Sequence, residues 1–511
     1  NFPILIQKID AERVGGSRSV VTALANRTRQ SASLQFGEFL HPWLKNPLCA
    51  LRVKEILRRQ KLFPQRILAP MQQPHVKFRD ALLVWVKVGL MSFGGPTGQI
   101  ALMHTELVEK RKWVSEESFL RALNYCMLLP GPEAQQLSVY VGWLLHRTLG
   151  GIMAGTLFVL PGAALMFAVS WIYAVFGNVP FIEAIFHGLK AAVVAIVAAA
   201  FIRIGKKALK NPVMWLLAAL AFAAIRFLGA PFPLIIASAA LIGIIGAKFW
   251  RKQFLVLNSA PTTTPTASPP HHSTTPTLRR TLTVAAVCLI LWWLPVLSVG
   301  VFLGTDSVPF KQGLFFSKVA VVTFGGAYAV LPYVAQQAVE HHQWLSAGEM
   351  MDGLGLAETT PGPLILVLEF VGFLGGWHHA GGLSPIVAAT LGALITTWVI
   401  FLPSFLFIFL GAPFIERWRG NEWLAGALSA ITAAVVGVIL NLAVWFGLHT
   451  LFPNPDAAQW FDAVDWFALT LAAVAFVGLW KWKWDVVPVV LVSGALGLAH
   501  HFVVAHFGGA Q

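Results

Sequence analysis

The feature that most limits what this chain can fold into is an internal duplication. Lys87, Phe93-Gly94-Gly95, Trp113 and Pro130-Gly131-Pro132 return 231 residues later as Lys318, Phe324-Gly325-Gly326, Trp344 and Pro361-Gly362-Pro363. Between 87–132 and 318–363, 13 of 46 positions are identical without a gap, where unrelated sequences of ordinary composition would share about three. Both copies lie in apolar sequence, and both place glycine and proline where a helix cannot run on undisturbed. A duplicated membrane protein with broken helices in each half satisfies both facts.

Composition agrees. Over 511 residues, 57% hydrophobic and 12% charged side chains, with a mean hydropathy of +0.69, are too apolar for a water-soluble globule and too many for a single anchor. Apolar runs near the length of a bilayer crossing fall at 81–103, 121–145, 151–176, 182–205, 212–228 and 231–249, then at 281–304, 311–338, 354–377, 384–412, 424–449, 462–480 and 486–504. The runs are continuous rather than alternating, so the fold class is an all-α polytopic membrane protein, not a barrel. Tryptophans near run ends, such as Trp480, Trp482 and Trp484, fit interfacial belts.

Five regions follow. Residues 1–77 are basic, poorly periodic and without a signal-peptide core, and are expected to be a cytoplasmic extension or, since the chain starts at Asn1, an artefact of the gene boundary. Residues 78–250 form a first domain, and 251–280 a linker whose Thr/Pro-rich stretch 258–277 cannot pack a core. Residues 281–304 add one extra helix, and 305–511 form the second domain. That extra crossing gives an odd number between the repeats, so the two domains are expected to be inverted-topology repeats. Arg203, Lys206, Lys207, Lys210, Lys248, Arg251, Lys252, Arg417, Arg419, Lys481 and Lys483 then share the cytoplasmic side with the N-terminus. Lys110, Arg111, Lys112 and Arg121 join them only if 81–103 and 121–145 turn back at their breaks as re-entrant hairpins.

The breaks hold the residues able to carry chemistry. Gly94, Gly95 and Pro96, with Gly325 and Gly326 in the second copy, stop a helix inside the membrane, where broken backbone persists only beside protein or a polar cavity. Close helix packing through small residues is the plainer reading, and the repetition weakens it. Pro130-Gly131-Pro132 and Pro361-Gly362-Pro363 end one arm and start another, whose freed amides suit an anion. Lys87 and Lys318 each stand seven residues before the first glycine of their own break, on the same helical face. They are anion attractors unless they snorkel to the interface. Gln99, Gln135, Gln136, Tyr328, Thr359 and Thr360 are neutral hydrogen bonders able to orient an oxyanion. Glu133 and Glu358 flank the Pro-Gly-Pro breaks at non-equivalent positions. A carboxylate there repels an anion unless it carries a proton, so both are candidate proton-coupling residues, with helix capping the plainer role for Glu133. Lys190 is the deepest basic residue of the 182–205 run.

Other chemistries lack their residues. The formal charge of +14 sits at segment ends rather than on a soluble nucleic-acid-binding domain. Cys49, Cys126 and Cys288 are isolated, and the paired histidines 341–342, 378–379 and 500–501 fall at segment ends, so neither metal site nor disulfide framework is expected. No phosphate loop, flavin-type glycine fingerprint or Ser-His-Asp order is visible, which argues against an ATP-driven pump and against a membrane-embedded enzyme. No cofactor is expected.

Phe93-Gly94-Gly95-Pro96 with Gln99, Pro130-Gly131-Pro132-Glu133-Ala134-Gln135-Gln136-Leu137, Phe324-Gly325-Gly326-Ala327-Tyr328, and Ala357-Glu358-Thr359-Thr360-Pro361-Gly362-Pro363 together resemble the chromate ion transporter family in its long two-domain form. The resemblance covers about residues 78–504. It implies a secondary transporter of the bacterial inner membrane that exports chromate, driven by the proton gradient, and so confers chromate resistance. It leaves room for a homodimer. Chromate and sulfate share shape and charge, so a sulfate-like oxyanion is the alternative cargo.

Overall fold

The computed structural model describes residues 76–93, 95–177, 179–254, 278–412, 421–453 and 463–507. Gly94, the linker residues 255–277 and nearly all of the N-terminal extension lie outside the described residues. Gln73–Gln511 form one compact unit. Its regular structure, among the described residues, is entirely helical. The first domain contains α1 Phe78–Leu90, α2 Gly95–His104, α3 Glu116–Cys126, α4 Glu133–Phe176, α5 Pro180–Ala208, α6 Pro212–Leu228 and α7 Phe232–Phe249. After α8 Leu278–Leu303 come α9 Val308–Val322, α10 Ala327–Ala335, α11 Ala347–Thr359, α12 Val367–His378, α13 Pro385–Gly411, α14 Glu422–Leu451, α15 Trp466–Trp480 and α16 Val486–Phe507. Among the described residues, seven helices, α4, α5, α7, α8, α13, α14 and α16, are long and apolar enough to cross a membrane, and α6 and α15 are shorter apolar helices.

The four runs that carry the glycine and proline motifs do not continue through them. Lys87 and Glu106 are 19 residues apart, so a straight helix would separate them by about 28 Å at 1.5 Å per residue. Lys87 Nζ instead donates to Glu106 Oε1 at 2.9 Å. The chain therefore turns back between α1 and α2. The same argument applies at the other three breaks. Tyr125 and Tyr140, on either side of Pro130-Gly131-Pro132, have ring centroids 6.2 Å apart. Trp344, beyond α10, lies 5.7 Å from the ring of Phe315 on α9. His378 at the end of α12 meets Glu349 at the start of α11 at 3.3 Å.

Helix α4, at 44 residues, would extend about 66 Å, twice a bilayer core. It does not do so. His146 and Arg147 leave helical geometry, with Arg147 at φ 55°, and the two arms fold against each other. A methyl on Gly150 would sit 2.3 Å from the Gly142 carbonyl oxygen, so only glycine admits this backbone approach. The second domain repeats the contact between α12 and α13, where a methyl on Gly392 would lie 2.2 Å from Gly372 oxygen.

Small residues set the scaffold as well. A methyl on Gly243 of α7 would stand 2.3 Å from Gly426 oxygen of α14, and one on Gly497 of α16 would stand 2.3 Å from Ala184 oxygen of α5. The domains thus exchange partners: α5 packs with α15 and α16 of the second domain, while α14 packs with α6 and α7 of the first. Neither domain buries its apolar faces alone. Helix α8 lies outside this exchange, against α9 and α13, where Trp292 Nε1 donates to Ser317 and Trp398 Nε1 donates to Leu291 oxygen.

Candidate functional site

The duplication survives in fine detail. In each copy a π-helical turn, Thr105–Lys110 or Gln336–His341, follows the first short arm. Lys112 and Gln343 at matched positions take φ 54° and 53°, and the amides of Trp113 and Trp344 donate to Leu107 and Ala338 oxygens at 2.8 Å in both. Glycine conformations match too: Gly95 and Gly326 at φ 68° and 89°, Gly131 and Gly362 at 116° and 113°.

The breaks meet one another crosswise. The amide of Gly131 donates to Thr323 oxygen at 2.7 Å, and the amide of Gly362 donates to Ser92 oxygen at 2.7 Å. Residues 131 and 362 are one matched pair, 92 and 323 the other, so each Pro-Gly-Pro break binds the other domain's Phe-Gly-Gly break. This exchange of equivalent partners is what a two-fold relation produces. A second reciprocal contact supports it. Gly162 of α4 packs on Pro361 and Gly362, while Ser404 of α13 packs on Gly131. All four breaks therefore gather where α4 and α13 pass each other.

Two kinds of glycine serve this crossing. A methyl on Gly362 would press on Leu366 and Gly162, and one on Gly131 on Gln136 and Ser404, so these positions are tight as well as left-handed. Around Gly95, Gly325 and Gly326 a methyl would meet nothing within 4 Å. Close packing does not explain those three. Their positive φ does, and they leave backbone facing open space.

Glutamines brace the bent backbone. Gln99 Nε2 donates to Gly362 oxygen at 2.6 Å and to Ser92 oxygen at 3.4 Å, Gln136 Nε2 to Pro130 oxygen at 2.6 Å, and Gln135 Nε2 to Phe401 oxygen at 3.4 Å. Their N–H groups thus hold the breaks in this conformation, while the hydroxyls of Ser92 and Ser404 and the Oε1 atoms of all three glutamines are buried without a partner. Unmatched polar atoms at this depth are costly unless a polar ligand or water completes them. The prolines 96, 130, 132, 361 and 363 border these turns. Thr359 and Thr360 cap inward, donating to Leu356 oxygen at 2.9 Å and Ala357 oxygen at 3.4 Å.

The charged candidates divide. Lys87 shares Glu106 with Lys110, 2.8 Å away, and keeps 42% of its side chain exposed. Hydrogen bonds from Lys110 and then Lys87 hold the Glu106 carboxyl below the usual carboxylate range. Lys318, its repeat mate, is exposed and makes no ion pair among the described residues, because Gln337 stands where Glu106 stands in the first copy. Glu358 is buried and accepts a hydrogen bond from Tyr328. Glu133 opens α4, half-buried, with no hydrogen bond among the described residues.

The chromate transporter family model matches residues 79–244 and 310–498, one match per copy. The chain belongs to the chromate transporter family. A chromate transport protein of Pseudomonas aeruginosa is 32% identical over 83% of this chain and 92% of its own length. One from Cupriavidus metallidurans is 26% identical over 85% and 96%, and an uncharacterised transporter of Methanocaldococcus jannaschii is 28% identical over 82% and 93%. No solved structure matches. This is a family of transporters, not of enzymes.

Sequence reasoning missed several residues of this family member's centre. Ser92 and Thr323 supply the crossing carbonyls and were visible only as a matched hydroxyl pair at the 231-residue offset. Asp352, buried, receives the Tyr173 hydroxyl at 2.8 Å and lies 3.5 Å from Lys190, joining the domains. Glu369, also buried, left no signal beyond being an acid in an apolar arm.

Proposed function

We propose that the chain carries chromate across the membrane, out of the cytoplasm, in exchange for protons. In this reading its two domains are inverted-topology repeats in the inner membrane of a bacterium, with the N-terminus cytoplasmic and the oxyanion bound where the breaks cross. The observation that carries the reading is the reciprocal pair of 2.7 Å hydrogen bonds that draws four broken helices to one point. Broken helices meeting at a repeat axis supply what a dianion needs. The arms starting at Gly95 and Ala327 turn free amides and positive helix ends inward, and the open space beside Gly95, Gly325 and Gly326 lets an oxygen reach backbone. Lys87 and Lys318, each five residues before a crossing carbonyl, supply charge, and the Ser92 and Ser404 hydroxyls supply donors.

Glu133 and Glu358 are the carboxyls nearest the Pro-Gly-Pro turns and gain or lose protons as the site empties and fills. Export in exchange for protons gives chromate resistance to the cell. The relatives' names as chromate transport proteins support the cargo. A flux assay decides: purified protein in liposomes takes up chromate under an imposed pH gradient, a protonophore abolishes the uptake, and Lys87→Gln or Lys318→Gln weakens it. Equal competition by sulfate moves the assignment to sulfate-like oxyanions in general, and pH-independent uptake removes the proton from the mechanism.

A further inference from the structure

We propose that Glu369 is the residue that carries the coupling proton through the closed state, a role resting on the reading of the chain as a proton-coupled carrier. Glu369 is the third residue of α12, 4% exposed, with Oε2 lacking any partner. It lines a crevice with Leu366, Thr396, Thr397 and Phe401 whose interior is too small to admit a water molecule. The Thr396 hydroxyl is likewise unpartnered. No other wall of the crevice is ionisable.

The elements packed on α12 bring it no countercharge. Helix α13 contains no ionisable residue. On α11, Glu358 accepts from Tyr328, Asp352 is held by Tyr173 and Lys190, and Glu349 meets His378. On α9, Lys311 pairs with Asp306 and Lys318 is exposed. On α4, Glu133 stands at the first residue, and His146 bonds Val76 oxygen beside Arg147 at the far turn. A carboxylate sealed from water and without a countercharge in a bilayer interior is too costly to persist. The closed crevice therefore holds Glu369 in its acid form, and a conformation that admits water releases the proton.

Two observations separate this from a merely structural acid. The matched position in the first copy is Ser138, whose hydroxyl donates to Gln135 oxygen at 2.7 Å, so the hairpin folds without a carboxyl there. The crevice also shares walls with the crossing. Phe401 is the acceptor for Gln135, and Leu366 is the side chain against which both Gly162 and Gly362 pack. Water entering at Glu369 must move the residues that hold the breaks. Protonation and the arrangement of the breaks are thus parts of one equilibrium.

The test uses the full chain in proteoliposomes with two assays: chromate accumulation driven by a pH gradient at clamped membrane potential, and isotopic chromate exchange at equal pH. Glu369→Gln, which mimics the protonated state, is expected to lower gradient-driven accumulation about tenfold or more while exchange stays within about twofold, a split that uniform loss of binding cannot produce. Glu369→Asp is expected to restore part of the accumulation. Gradient-driven accumulation retained by Glu369→Gln overturns the proposal, as does equal loss of both assays without rescue by Asp. Absence of chromate exchange in the wild-type protein would instead overturn the functional reading on which it rests.

Discussion

Gly162→Ala should weaken this protein, against the ordinary behaviour of helices. Exchanging glycine for alanine inside a helix normally stabilises by about 1 kcal/mol. Gly447 of α14, where an added methyl would meet nothing within 4 Å, should show that gain when replaced. At Gly162 the methyl would lie 2.4 Å from Pro361 oxygen and 2.9 Å from Gly362 Cα, both backbone atoms that no rotamer change can clear. The Pro-Gly-Pro turn must retreat, and with it goes the bond from the Gly362 amide to Ser92 oxygen. Leaving that donor unmet costs about 1 to 3 kcal/mol, while the Ser92 oxygen keeps its contact from Gln99 Nε2 at 3.4 Å. Set against the helix gain, the net loss is up to about 2 kcal/mol, so the variant falls short of Gly447→Ala by about 1 to 3 kcal/mol. Thermal unfolding in detergent, followed by the fluorescence of the 20 tryptophans, reads the difference between the two variants, and liposome flux reads the loss of the crossing. A Gly162→Ala protein as stable as Gly447→Ala, with transport intact, would refute the reasoning.

Single cysteines at Lys112 and Gln343, the matched turns after each π-helical segment, should label from opposite faces of the membrane; labelling from one shared face ends the inverted-repeat reading. Asp352→Asn strands Lys190 beside a buried neutral amide and should cost about 3 to 5 kcal/mol in unfolding, whereas replacing Asp352 and Lys190 together with methionine should recover much of it. Asp465 caps α15 through the Ala468 amide at 2.8 Å and bonds His187 at 2.6 Å. Burial pushes its carboxyl up, but the His187 bond and the Ala468 amide outweigh burial and leave it below the usual aspartate value. Its stabilisation is therefore complete above about pH 4 and is lost as pH falls through the lower folded value. Asp465→Asn, which keeps the cap, should flatten the fall in melting temperature below that pH.

Much of the fold is legible in the sequence because it rests on residues with one physical meaning. Gly and Pro inside apolar runs announce four breaks. Lys87 reads as a free anion attractor, and the structure adds Glu106, eleven residues past the break, which periodicity cannot bring near it. The glutamines are legible as polar lining but not as braces, since which carbonyls a bend releases is decided by tertiary approach. The partner exchange between α5 and α14 depends on shape complementarity of glycine and alanine faces that look alike on every apolar helix. Asp352 stays hidden for the same reason: its partners Tyr173 and Lys190 come from the other domain.

The two copies have kept their backbone and parted in charge. At the 231-residue offset, Glu106 faces Gln337, Lys110 faces His341, Arg121 faces Asp352, Met127 faces Glu358 and Ser138 faces Glu369. Basic and acidic side chains balance around the first copy's breaks, whereas the second copy keeps Lys318 against Glu340, Glu349, Asp352, Glu358 and Glu369. A perfectly two-fold crossing would offer an oxyanion the same surroundings from either side, and nothing in it could tie the direction of movement to protons. Retained glycines and prolines preserve the crossing, because every break is braced by the other copy and neither can drift alone. The side chains around it are free to diverge, and they have placed exposed lysines beside the breaks of both copies and sealed carboxyls in the second. In a proton-coupled carrier of this build, coupling then resides in the difference between the copies, not in either motif. Introducing the first copy's residues into the second, Glu358→Met with Glu369→Ser, should leave chromate exchange and weaken its dependence on pH, whereas the reverse change Ser138→Glu should steepen that dependence by adding a second carboxyl to the hairpin that already holds Glu133.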